Sequence, residues 1–154
     1  VICGEGAAKF DLVKLKAEYA LKNVYFFPLQ MYDVLPKLLA MADVHLVVQN
    51  PSIANAVLPS KLTNILAVGG NAVITTNNNT EIGRLITEFT GIAVAVEPEN
   101  PLALLAGIEA ANKCAAPNMV AVNYAKEFLD KNQVLDVFEK RLFCIASKNK
   151  KSKY

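Results

Sequence analysis

The residues of this sequence best placed to do chemistry are Ser60, Lys61 and Asn64, in the stretch VLPSKLTNILAVGGNAVITT from Val57 to Thr76. The stretch reads as a turn, one helix and a buried strand. A helix amino terminus carries about half a positive charge and up to four unpaired N–H donors. The Ser60 and Lys61 N–H groups, the Ser60 hydroxyl and the Lys61 ammonium could therefore converge on a phosphate. One turn on, Asn64 shares that face and offers an amide that could read a ribose hydroxyl. The competing account is structural: Ser60 caps the helix and Lys61 is a solvated charge.

Other signals are weaker. Gly4-Glu5-Gly6 opens like a dinucleotide fingerprint, but Lys9 stands where the third glycine belongs. His45 is the only histidine, lies mid-strand between Val44 and Leu46, and has no partner at metal-ligand spacing. It reads as a packed, hydrogen-bonded core residue. Cys3, Cys114 and Cys144 are odd in number and lack a CxxC pair, so they are expected to be small buried apolar residues in a reducing cytoplasm. Tyr25, Phe26 and Phe27 read as core, except where Phe27 borders a loop. No metal site, Ser/His/Asp set or P-loop is visible.

The elements that must position these residues alternate. VICG is a short strand ended by GEG, and a helix follows from about Lys9 to Leu21 with Phe10, Leu12 or Val13, Leu15, Ala17 and Ala20 on an apolar side. NVYFFP is a second strand stopped by Pro28. YDVLPKLLAMA is helical, with Asp33 as cap and Pro36 in the first turn. DVHLVVQ is a third strand, apolar as expected when helices cover both faces. The loop Asn50 to Pro59 leads to a helix Lys61–Val68 closed by Gly69-Gly70. NAVITT is a fourth strand, and Thr80 caps a helix Glu81–Phe89. GIAVAV is a fifth strand; helices follow from Pro101 to about Lys113 and from Val120 to Ala146, with a break near Asp130. Five strand–helix alternations specify a parallel α/β sheet with helices on both faces. Ligands bind such sheets beyond the strands' carboxyl ends, so the loops GEG, PLQMYD, QNPSIANAVLPSK, TNNNTE and EPENP should share one edge.

The chain has 154 residues, 53% of them hydrophobic and 19% charged, enough for one domain with a sizeable core. A formal charge of +2 argues against a nucleic-acid partner. Residues 147–154 form a basic tail around Lys148, Lys150, Lys151 and Lys153. Such a tail is a solvated end or, alternatively, a contact to anionic lipid. No apolar run approaches the ~20 residues that span a bilayer. The chain opens on Val1-Ile2-Cys3-Gly4 without methionine, already inside a strand, and is expected to be a piece of a longer protein.

In this order, VICGEG, NVYFFPLQMYDVLPKLLAMADVHLVVQ and VLPSKLTNILAVGGNAVITTNNNTEIGRLI resemble the donor-binding domain of bacterial family 4 glycosyltransferases, in particular those of colanic-acid and capsular-polysaccharide biosynthesis. The similarity covers about Val1 to Asp130. It implies a GT-B fold, two Rossmann-like domains facing across a cleft, of which residues 1–146 would be the carboxyl-terminal, nucleotide-sugar-binding one. An amino-terminal domain of the same protein would bind the acceptor, a growing and lipid-linked saccharide. Transfer would retain anomeric configuration with no metal and no cofactor beyond the nucleotide-diphosphate sugar, at the cytoplasmic face of the membrane.

By position, the resemblance implies phosphate contacts at Leu58, Pro59, Ser60 and Lys61, and a base lying against Phe27-Pro28-Leu29. Gly4, Gly6 and Glu81 are further candidates. Many relatives carry a glutamate where Asn64 stands and an acidic residue where this chain has Ala54, Asn55 and Ala56, so the catalytic carboxylate is not identified. The family's strand order, 3-2-1-4-5-6, places a strand and helix preceding Val1 between VICG and VHLVV. Those two strands pair directly, another chain fills the gap, or the sheet rearranges. The last helix, with Val134, Leu135, Val137, Phe138, Leu142 and Ile145 at helical spacing, crosses back to the partner domain in the family, so its stripe should be exposed here and promote self-association. Two other readings stand beside the transferase: a GT-B sugar-nucleotide enzyme such as a 2-epimerase, and a non-catalytic nucleotide-binding or interaction module.

Overall fold

The structure is a computed structural model describing residues 1–49 and 58–151, with side chains described through residue 146. The expected loop before the Ser60 helix, including Ala54, Asn55 and Ala56, lies outside the described residues. The chain divides into two compact units, Val1–Leu38 and the remainder from Leu39.

In the first unit, β1 (Ile2–Cys3) pairs parallel with β2 (Phe26–Phe27), joined through helix α1 (Lys9–Glu18). Main-chain bonds extend the pairing on both sides, Ile2 N–H to the Tyr25 carbonyl (2.8 Å) and Gly4 N–H to the Phe27 carbonyl (3.1 Å). A two-stranded sheet offers little surface to cover. Accordingly α1 buries no residue, and its expected apolar side, Phe10, Leu12, Val13 and Leu15, stays exposed. Tyr25, expected in a core, is exposed for the same reason, as is Phe27 beside its loop. Helix α2 (Leu35–Ala40) has Pro36 in its first turn, as expected, but starts after Val34, so Asp33 is not its cap.

The second unit is built on β3 (His45–Val47), β4 (Ala72–Thr75) and β5 (Val94–Val96), all parallel in the order β3-β4-β5. Every residue of β4 is buried. Side chains alternate across a strand, so Ala72 and Ile74 join one cluster while Val73 joins the other. The first cluster is closed by Leu62, Ile65 and Leu66 of α3 (Ser60–Ala67), Ile82 of α4 (Glu81–Glu88), and Ala121 of α6 (Met119–Tyr124). Ala103, Leu104, Ile108 and Ala111 of α5 (Pro101–Ala111) close the second. Parallel strands with helices on both faces are thus the architecture expected from the alternation.

Several expectations change. VHLVVQ was expected to be covered on both faces, yet β3 ends its sheet, burying His45 and Val47 and leaving Leu46 and Val48 exposed. β1 pairs with β2 and β3 with β4, in separate sheets. The cysteines are all solvent-exposed rather than buried; Cys3 spends its S–H on the Pro28 carbonyl at 3.1 Å. His45 is buried as expected, with its Nε2 unpartnered and the Leu39 backbone bonded to the ring's other nitrogen.

Two helix ends and one break fall where the sequence places them. Thr80 Oγ1 accepts the Gly83 N–H at 3.0 Å and starts α4. Gly69, at φ +71°, ends α3, where its N–H and that of Gly70 return to the Leu66 and Ile65 carbonyls. That is the pairing of a left-handed helix stop, which glycine adopts without strain. The expected break falls at Asp130, whose ψ of 126° separates a π-helical turn (Ala125–Leu129) from α7 (Lys131–Lys151). Phe89 meets Tyr124 and Phe128 edge-on at 4.8 and 5.5 Å, those two rings tilt against each other at 4.9 Å, and together they pin the π turn to the end of α4.

Candidate functional site

Parallel strands present their carboxyl ends on one edge, so in the second unit Gln49, the loop Thr76–Thr80 and the segment after Val96 share that edge with the start of α3.

The helix start differs from the expectation in one respect. Ser60 is not the cap: Pro59 is the flanking residue, extended at φ −61°, ψ 133°, and no side chain caps the helix. Proline has no N–H to offer, but its carbonyl accepts the N–H groups of Leu62 (2.9 Å) and Thr63 (3.3 Å). The helix thereby satisfies its third and fourth donors and leaves those of Ser60 and Lys61 unengaged among the described residues. Both residues are exposed, and Lys61 forms no ion pair among the described residues. Leu58 packs into the core and fixes where the turn enters. Asn64 is exposed on the same helix. The structure thus brings Leu58, Pro59, Ser60, Lys61 and Asn64 together as one cationic, donor-rich helix start.

Glu81 is taken. It pairs with Arg84 at 2.9 Å at the exposed start of α4, the helix-dipole role available to any first-turn glutamate. The first unit holds the remaining candidates. Phe27, Pro28 and Leu29 are exposed, and the Pro28 carbonyl also accepts from Gln30 Nε2 at 2.9 Å. Gly4 sits at φ +133° and its carbonyl accepts the Lys9 ammonium at 3.2 Å, while Lys9 also pairs with Glu5 at 2.6 Å. The residue in the third glycine's place ties the loop to itself. No group of three metal-ligating side chains occurs among the described residues.

Two features escaped the sequence reading. At the carboxyl end of β3 the Gln49 N–H bonds Thr75 Oγ1 at 2.8 Å, while Gln49 Oε1 is buried without a partner. Nothing in the sequence separates that glutamine from any other loop glutamine. Beside Asn64 lies an open hollow of about 340 Å³, walled by Thr63, Asn64 and Ala67 of α3 and by Lys126, Leu129 and Lys131 opposite. It exists because the chain leaves helical geometry at residues 125–130, which periodicity does not show.

A family model for glycosyl transferases group 1 matches residues 1–128. The chain belongs to that family. A relative from Escherichia coli (strain K12), described as a colanic acid biosynthesis glycosyl transferase, WcaI, is 56% identical over 137 residues. The match covers 89% of this chain and 34% of that relative, so the chain spans about a third of the relative's length. The resemblance to colanic-acid-type glycosyltransferases therefore stands, and the parallel sheets with helices on both faces fit the carboxyl-terminal half of a GT-B fold.

Proposed function

We propose that this chain is the donor-binding domain of a retaining glycosyltransferase that moves a sugar from a nucleotide-diphosphate sugar to a growing, lipid-linked exopolysaccharide or capsule unit. The observation that carries the proposal is the start of α3, where two unengaged N–H groups and the Lys61 ammonium stand at the carboxyl edge of the sheet in a member of the glycosyl transferases group 1 family. Sugar transfer from such a donor builds negative charge on the departing diphosphate. Preorganised donors and a cation aimed at that charge lower the barrier more than they strengthen ground-state binding. The helix dipole adds to the effect without reorganisation. In this reading Lys61 and the α3 dipole neutralise the diphosphate without a metal, and Asn64 bonds the ribose. An amino-terminal domain of the same protein holds the acceptor, at the cytoplasmic face of the membrane where a lipid-linked saccharide grows.

The test is transfer by the full-length enzyme from a panel of nucleotide-diphosphate sugars to membrane extract, with products followed by mass spectrometry and anomeric configuration by NMR. Expected is one preferred donor, a product of unchanged configuration, and loss of transfer in Lys61→Ala. Conversion of the donor sugar to an epimer without an acceptor would replace the reading with that of an epimerase. Absence of any nucleotide binding would leave an interaction module.

A further inference from the structure

We infer that the hollow beside Asn64 is a subsite for an acidic sugar unit, a ring bearing a phosphate or carboxylate, with Lys126 and Lys131 as its cations. The inference shares Asn64 with the donor site proposed above and otherwise rests on the hollow alone. Its volume of about 340 Å³ lies in the range of small-ligand sites, at the end suited to one sugar ring. Ala67 and Leu129 supply apolar wall for the ring's C–H face, and Asn64 supplies an amide for its hydroxyls.

The charge on the lining is unbalanced. Neither Lys126 nor Lys131 has an ion-pair partner among the described residues. The hollow's one carboxylate, Asp130, already accepts the N–H groups of Asn132 and Gln133 at 3.0 Å each through Oδ1. It caps α7 and so offsets that helix's own dipole rather than the lysines.

The backbone irregularity has a role in this arrangement. Along a regular α-helix, positions five apart diverge by about 140°, which would send residues 126 and 131 to different faces. The π-helical turn and the extended Asp130 instead bring both lysines to one hollow. Single π turns are common at functional sites for this reason.

The test is calorimetric or NMR titration of the 154-residue chain with ribose 5-phosphate, nucleoside 5′-diphosphates, galacturonate and, as neutral control, galactose. The acids are expected to bind more tightly than galactose, and less tightly as salt is raised. Lys126→Gln and Lys131→Gln, both at exposed positions that tolerate the change, should each weaken the acids about tenfold, the loss of one charge-assisted hydrogen bond, and leave galactose unchanged. Preference for the phosphates would assign the subsite to the donor, and preference for galacturonate to the acceptor. Acids that bind no better than galactose, or that ignore both substitutions, would overturn the inference. Lys61→Gln run in parallel separates the two proposals. Diphosphate binding lost only in Lys61→Gln keeps the donor site and removes the subsite, whereas loss only in the other two variants does the reverse.

Discussion

Lys61 and Ser60 sit side by side at the start of α3, yet the structure assigns them different consequences. Lys61 is exposed and forms no ion pair among the described residues, so Lys61→Ala should leave stability within about 0.5 kcal/mol. It should weaken nucleoside-diphosphate binding by about 1–3 kcal/mol, the range for a charge-assisted hydrogen bond, as read by calorimetry on the full-length enzyme. Ser60→Ala would cost ~0.5–2 kcal/mol of stability if its hydroxyl capped the helix. Because Pro59 flanks the helix and no side chain caps it, the expected loss in denaturant titration is within about 0.5 kcal/mol. His45 gives a pH signature. Burial pushes its pKa below the ordinary 6.5, the ring's bond to the Leu39 backbone carbonyl only partly opposing the shift. The unfolded chain therefore takes up the proton first, so stability is flat above about pH 7 and falls as pH drops through 6.5 towards the lowered folded-state value. Denaturation midpoints from pH 8 to 5 should show the decline, and His45→Gln should flatten it. At this scale the sequence revealed which residues gather at the helix start, because Pro-Ser-Lys marks it. It did not reveal whether serine or proline is the flanking residue, since both are good helix starters.

Elements were legible where a local signal ends them. Gly69-Gly70 announced the stop of α3 and Thr80 the start of α4, and the expected break near Asp130 separates the π turn from α7. Gly69→Ala is the corresponding test. At φ +71° an added Cβ is strained, and it would lie 2.7 Å from the Pro117 Cβ. A stability loss of roughly 1–3 kcal/mol is expected by urea titration, with nucleotide affinity kept in the fraction that folds. What the elements did not disclose is what covers them. An apolar run reads the same in a central strand and in an edge strand, so HLVV gave no sign that β3 ends its sheet. The apolar side of α1 was equally readable, but the two-stranded sheet behind it cannot bury it. The expected thiol burial failed in the same way, because being small and apolar does not determine whether a site is covered.

Over the whole molecule, strand–helix alternation was enough to specify the fold class, and the order of motifs was enough to specify the family. The π turn and its hollow were invisible because helical periodicity averages over one irregular turn. The stripe on α7 is exposed as expected, with Val134, Leu135, Phe138, Leu142 and Ile145 each about half accessible. A helix of 21 residues in water gains most of its stability from burying such a face. The chain on its own should therefore associate through it in a concentration-dependent way, seen in sedimentation or light scattering. Phe138→Asp with Leu142→Lys should return a monomer of unchanged helix content at α1 to α6. The same chain should show no sugar transfer by itself, since in-line placement of donor and acceptor supplies up to ~7–11 kcal/mol of rate enhancement and needs an acceptor site facing the donor. Robust turnover by residues 1–154 on a lipid-linked acceptor would contradict the two-domain proposal.

The side of β3 that pairs with no strand among the described residues matters for how the chain behaves in a test tube. The His45 amide bonds the Asn71 carbonyl, towards β4, so by strand alternation the amides of Leu46 and Val48 point the other way, beside their own exposed side chains. Among the described residues β3, only three residues long, pairs on one side alone, and Val44–Val48 hold no lysine or proline. An uncharged ribbon of this kind is a seed for cross-β stacking. During storage or heating, the first fibrils of this chain should grow from Val44–Val48, and Leu46→Lys should prolong the thioflavin lag without moving the melting temperature.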